Sequence, residues 1–184
     1  MTITFVDINK NLPLGENTGG ITQKIYFGLY SDVAVWPTKP LGAALTLEEN
    51  ATLTGELVMK IGKNLFELYL TDDTGEFAIE SVGESDGHSF VEHLTLFHPG
   101  LQKSILGFIN TVKNDNLVFI VEDAEGQLYL MGDASRPAVY AGAPDGGGTG
   151  KETSARKGMS MEFTYKTGNV LVYTGAIPLT PAII

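Results

Sequence analysis

Apolar positions recur along this chain with two periods, and the helical one occurs once. Leu101, Ile105, Phe108, Ile109 and Val112 fall at i, i+4, i+7, i+8 and i+11, the stripe of an amphipathic helix with one buried face. The spacing predicts a helix over about 100–113, with Pro99 in its first turn and Lys113 in its last, where a cation suits the helix dipole. Elsewhere the period is two. Residues 2–8 alternate loosely, and residues 21–35 carry strand formers around Gly28, a position that suggests a bulge or a close backbone approach. Leu53, Leu57, Met59 and Ile61 alternate with polar residues, as do Phe66, Leu68 and Leu70; a turn at Asp72-Asp73-Thr74-Gly75 then returns the chain through Phe77 and Ile79, which reads as a meander. Leu117 to Val121 is an unbroken apolar run, closed by Asp123-Ala124-Glu125-Gly126 and followed by Gln127 to Met131, an interior hairpin. Met159, Met161, Phe163 and Tyr165 alternate cleanly with Ser160, Glu162 and Thr164, and a turn at Thr167-Gly168 predicts a closing hairpin.

One helix among period-two segments implies a mainly β fold: a β-sandwich or barrel of antiparallel strands with one packed α-helix and long loops, in a single domain spanning 1–184. Three stretches break the pattern. Residues 9–20 are rich in Asn, Gly and Pro, and residues 38–50 form a second long connection with room for a helical turn at its end. In 141–156, five of the nine residues from Gly142 to Gly150 are glycine, leaving too little apolar surface to offset the entropy of ordering. The arm at 9–20 and the loop at 141–156 are therefore expected to be mobile in an isolated subunit. Residues 176–184 carry two prolines and read as a docked arm or a frayed tail.

Composition narrows the chemistry. With no cysteine there is no disulfide, thiolate metal site or catalytic thiol. The first residues lack a basic segment followed by an apolar core, and no stretch nears the roughly 20 apolar residues of a membrane helix, so synthesis and folding in a cytoplasm, without a membrane partner, are expected. The net charge of −10 argues against a groove that grips nucleic acid. Between Glu48 and Glu92 lie eleven acids against Lys60 and Lys63, either solvated strand faces or a surface that repels phosphate.

The motifs that invite a catalytic reading fail on spacing. In Gly146-Gly147-Gly148-Thr149-Gly150-Lys151, a phosphate loop would need glycine at Asp145 and a hydroxyl at Glu152, and a strand rather than a helix follows. His88, Glu92, His93 and His98 cluster in the manner of a zinc set, but strand parity sends His93 to the opposite face from the other three. Carboxylates are plentiful without marking a glycosidase pair, Trp36 is the lone tryptophan, and no G-x-S-x-G elbow exists. No catalytic residue, cofactor or metal is expected.

The order of elements, carried by His98-Pro99-Gly100 through Asn110, by Asn114 through Asp133 and by Gly146 through Gly175, resembles the tail tube (major tail) proteins of long-tailed bacteriophages. The resemblance implies a virion structural protein, made in the host cytoplasm, that self-assembles into stacked hexameric rings around a channel through which DNA passes without tight binding, in contact with other tail proteins. It implies inter-subunit roles for the loop residues Asn17, Gly19, Gly20, Trp36, Gly146, Gly147, Gly148, Lys151 and Arg156, and an acidic channel face with Glu56, Glu67 and Glu80. The alternative is another virion or surface β-sandwich module, for tail completion, adhesion or glycan binding; a third reading is an isolated bacterial β domain.

Overall fold

The structure, a computed structural model, describes residues 2–8, 18–42 and 44–181. Along the chain it forms β1 (Thr2–Ile3), β2 (Ile21–Leu29), a 3-10 turn (Tyr30–Asp32), β3 (Val33–Val35), β4 (Ala44–Leu45), α1 (Leu47–Asn50), β5 (Val58–Met59), β6 (Phe66–Tyr69), β7 (Glu76–Val82), β8 (Ser89–Pro99), α2 (Lys103–Val112), β9 (Asn116–Asp123), β10 (Leu128–Met131), β11 (Ala138–Gly142), β12 (Gly147–Gly148), β13 (Gly158–Thr167) and β14 (Val172–Tyr173). The fold is mainly β, with a large antiparallel sheet and one substantial helix.

Strand β9 organises it. On one edge it pairs with β2, from Ile25↔Val121 to Leu29↔Leu117. On the other it pairs with β10 and, beyond the break at 132–137, with β11 through Ala138↔Leu117. β11 continues onto β13, β13 runs along β8 from Gly158↔Pro99 to Thr167↔Phe90, and β8 takes β7. The sheet thus turns a corner at β9 and β11 and makes two layers, β6-β2-β9-β10-β14 and β11-β13-β8-β7. A second crossing lies opposite: the Leu70 N–H donates to Gln23 O, and the next N–H, Thr71, donates to Phe97 O at the end of β8.

Both faces of β9 are buried, which is why its sequence is apolar without alternation. Leu117, Phe119 and Val121 enter a core between the layers with Leu94, Leu96, Met161 and Phe163, while Val118 and Ile120 enter a second core with Val33, Leu57, Met59, Leu65, Leu130 and Tyr173. Helix α2 closes the first through buried Ile105 and Val112, and Phe108 lies edge-on to Phe27 at 4.9 Å and to Phe163 at 6.4 Å. Gly28 faces the second core, where a Cβ would meet Leu65 Cδ2 at 2.7 Å, the close approach expected at that glycine.

Several expectations are corrected. Helix α2 starts at Lys103; Pro99 ends β8 instead, and Lys113 is the C-cap. The turn at Asp72–Gly75 forms, but β6 and β7 do not pair: β6 takes β2 and β7 takes β8, because the crossing at Thr71 moves the chain between layers. The closing hairpin is likewise absent, since β14 pairs with β10. Within 53–61 only Val58–Met59 is strand, and Ile61 is exposed. The helical turn at the end of 38–50 is α1, fixed by a capping box in which the Glu49 N–H donates to Thr46 Oγ1 and Glu49 Oε2 accepts from the Thr46 N–H.

Candidate functional site

Two features stand apart from simple packing: the outer strands of the layers, and a carboxyl-lined cavity. Among the described residues, β6 pairs only with β2 and β7 only with β8, so each leaves a row of backbone groups without a strand partner. Exposed Phe66 and Tyr69 lie on the first edge and exposed Ile79 on the second. The charges that usually blunt such edges are partly drawn inward. Glu67 of β6 pairs with Lys24 of β2 at 2.9 Å, and Glu80 of β7 reaches His93 of β8 at 3.2 Å. The segment after β1 adds exposed Phe5, Val6 and Ile8, beyond a parallel pairing of Thr2–Ile3 with Ala44–Leu45.

The outward face of β7-β8-β13 is acidic. By register, Glu76, Glu80 and Glu162 share it with His93, Thr95, Thr164 and Lys166. His93 bridges the strands, Nδ1 at 2.9 Å from Glu162 and Nε2 at 3.2 Å from Glu80. The bond to Glu162 raises the imidazole pKa, partial burial opposes this, and Glu80 adds to the rise.

The cavity, about 330 Å³, lies where the 37–39 segment, the 132–135 corner and the loop after β13 converge. Glu92 lines it at 3% exposure, and its Oε2 has no hydrogen-bond partner among the described residues. Burial alone pushes this carboxyl up to about 8. Opposite it in register stands Tyr165, whose hydroxyl donates to Asp133 Oδ2 at 2.7 Å. Burial and that bond raise the phenol. Asp133 Oδ1 accepts from the Ser135 N–H, the Ser135 hydroxyl and the Arg136 N–H. Burial favours the neutral form of Asp133, but these donors and Tyr165 outweigh it and hold the carboxyl below its ordinary value.

The residues singled out from sequence are dispersed. Asn17 lies outside the described residues, as does most of the 9–20 arm; Gly19 and Gly20 are exposed, and Gly20 O accepts from the Ala124 N–H at the β9–β10 turn. Trp36 is a packing residue, 5.0 Å from Tyr30 and against Gly132. The glycine-rich loop is not free: Gly147 and Gly148 pair with Met159 and Gly158, Gly146 O accepts from the Ser160 N–H, and the Arg156 guanidinium sits 4.7 Å over the Phe97 ring, with Lys151 exposed nearby in sequence. Of the 176–184 tail, residues 176–179 are docked, with Ile177 on the second core and Pro178 O accepting from the Leu65 N–H, while 182–184 lie outside the described residues. Glu80, Glu67 and Glu56 do not share a face: Glu80 is on the outside of one layer, Glu67 on the other layer beside Lys24, and Glu56 in the loop before β5. The histidines are apart as well, with His98 Nδ1 against Tyr69 O, and among the described residues no three His, Asp or Glu side chains are grouped to hold a metal ion. The cavity was missed in sequence, although a signal existed: Glu92 has the parity of Leu94 and Leu96, an acid where β8 faces inward.

Set against protein-family models, curated proteins and solved structures, the chain matches none of them.

Proposed function

We propose that this chain is a self-assembling structural subunit, of the kind that builds the tail tube of a long-tailed bacteriophage, with copies joined edge to edge into rings that stack around a DNA channel. The observation that carries this is the pair of edge strands β6 and β7, each with one side unpaired among the described residues, which bear Phe66, Tyr69 and Ile79 and turn Glu67 and Glu80 back onto their own sheets. Such edges are a liability in a monomer and an asset in a ring, where each pairs with the next subunit. The exposed arm of Phe5, Val6 and Ile8 supplies apolar surface for a neighbour.

In this reading the bore is lined by the outward face of β7-β8-β13, with Glu76, Glu80 and Glu162, in place of the dispersed Glu56, Glu67 and Glu80. Like charges on a bore wall keep phosphate from adhering as DNA slides. They also repel across the ring, and salt screens this over about 10 Å at 0.1 M, so added salt promotes assembly. A glycan-binding surface module has less support, because Trp36 is packed against Tyr30. The test is light scattering of the full chain against concentration and salt, beside the edge variant Ile79→Lys. Association that grows with both in the wild type and is lost in the folded variant supports the reading; association that salt dissolves, or that Ile79→Lys leaves intact, contradicts it.

A further inference from the structure

The cavity under Glu92 belongs neither to the free edges nor to the acidic face. Its walls are mixed: Leu53, Leu130, Leu171 and Pro37 supply apolar surface, beside polar groups that include Glu92, Asp133, Tyr165 and Thr167. Those polar groups are nearly all engaged within the protein. Asp133 takes four donors, the Thr167 hydroxyl donates to Asn169 O, and Lys39 at the mouth is held by Asn169 Oδ1. Glu92 Oε2 is the exception, buried and without a donor among the described residues. An unpartnered buried carboxyl costs free energy that a leucine, as at Leu94 and Leu96 on the same strand face, would avoid.

We infer that the cavity binds an organic cation with a short alkyl stem, an alkylammonium, whose head pairs with Glu92 while the stem lies along the leucine-lined wall. A divalent metal is the poorer fit, since Asp133 is already saturated and no third acid is at hand among the described residues. The size agrees: cavities of about 300 Å³ and above hold small ligands, and an aliphatic stem with a charged head needs an apolar wall and one polar end. The same chemistry has two sources, a free amine or a lysine side chain of a second copy.

Proton linkage follows from the neighbours of Glu92. Tyr165 faces it from β13, Asp133 from the 132–135 corner and Lys39 from the 37–39 segment, while β7 contributes only Ile79. Tyr165 stays neutral and Asp133 ionised through the neutral range, so Glu92 is the group that changes state. It is largely protonated at neutral pH and must lose that proton to pair with an ammonium ion.

The experiment titrates n-butylammonium into the full chain at pH 6, 7 and 8 by calorimetry in two buffers of different ionisation enthalpy, with 1-butanol as the neutral control and Glu92→Gln as the variant. Glutamine is the uncharged isostere of the protonated acid, so the variant keeps the fold, checked by near-ultraviolet circular dichroism. The expected result is binding of butylammonium that tightens by up to about ten-fold per pH unit below pH 8, with release of up to about one proton. Butanol and the variant are each expected to bind at least about ten-fold more weakly. Equal binding of butanol, unchanged binding by Glu92→Gln, or affinity that falls as pH rises overturns the proposal. Binding seen only after Lys39→Met would mean that Lys39 itself occupies the site, which also overturns it. Sedimentation velocity then assigns the source: butylammonium that dissolves oligomers marks a second copy's lysine, and an unchanged profile marks a free amine.

Discussion

Replacing Glu92 by Gln separates the cost of a buried carboxylate from everything else that titrates. In the folded chain the carboxyl is pushed from its ordinary 4.5 to about 8 by burial, so the native state holds a proton that the unfolded chain gives up. The burial penalty is therefore absent below pH 4.5, grows as pH rises and is complete above pH 8. Between those limits each pH unit adds about 1.4 kcal/mol, so the wild type gives up ~1 kcal/mol by pH 5, ~3 by pH 7 and ~4 by pH 8 relative to an uncharged side chain. Urea unfolding at those three pH values, followed by tryptophan fluorescence from Trp36, measures it directly. With a slope of about 1–3 kcal/mol/M in urea, the midpoint of Glu92→Gln should exceed that of the wild type by roughly 1–3 M at pH 7 and should converge with it near pH 4.5. Parallel pH profiles for the two proteins would refute the reasoning, because the carboxyl would then titrate alike in both states.

Phe108→Ala, which removes the ring standing between Phe27 and Phe163, should destabilise by about 3–5 kcal/mol in the same assay; a change under about 1 kcal/mol would take α2 out of the core. His93 should titrate above the ordinary histidine range in an NMR pH series, so its pairing with Glu162 and Glu80 stabilises fully below that range and is lost as pH climbs through the raised value. Glu162→Gln should return that midpoint toward the ordinary value. Reversing Glu76, Glu80 and Glu162 to Lys should leave the monomer folded and make assembled particles retain DNA; no gain of retention would put this face on the outside.

What could be read from the chain was local. The stripe of Ile105, Phe108 and Val112, the apolar run of β9 and the Thr46–Glu49 helical turn each follow from interactions within a dozen residues. What failed was partner choice. Asp72–Gly75 turns the chain but leaves open which strand β6 will pair with, and that was decided by the crossing at Thr71 and by Ile21 packed against Gly75. Likewise the alternation of Met159 to Tyr165 marks a strand with one buried face, while its pairing with β8 rather than with β14 depends on residues about seventy positions away. The glycine-rich loop looked too poor in apolar surface to order, yet backbone pairing with Met159 and Gly158 holds part of it. The cavity carries the same lesson, because Glu92, Asp133 and Tyr165 come from three separate strands or corners and only Glu92 breaks its own pattern.

Self-assembly through the edges of β6 and β7 is tested most directly by negative-stain electron microscopy of the purified full chain, concentrated at moderate salt. Rings or stacked tubes with an open central channel are the expected result, together with their loss in the folded Ile79→Lys variant. Isolated particles of one subunit at every concentration and salt would contradict it.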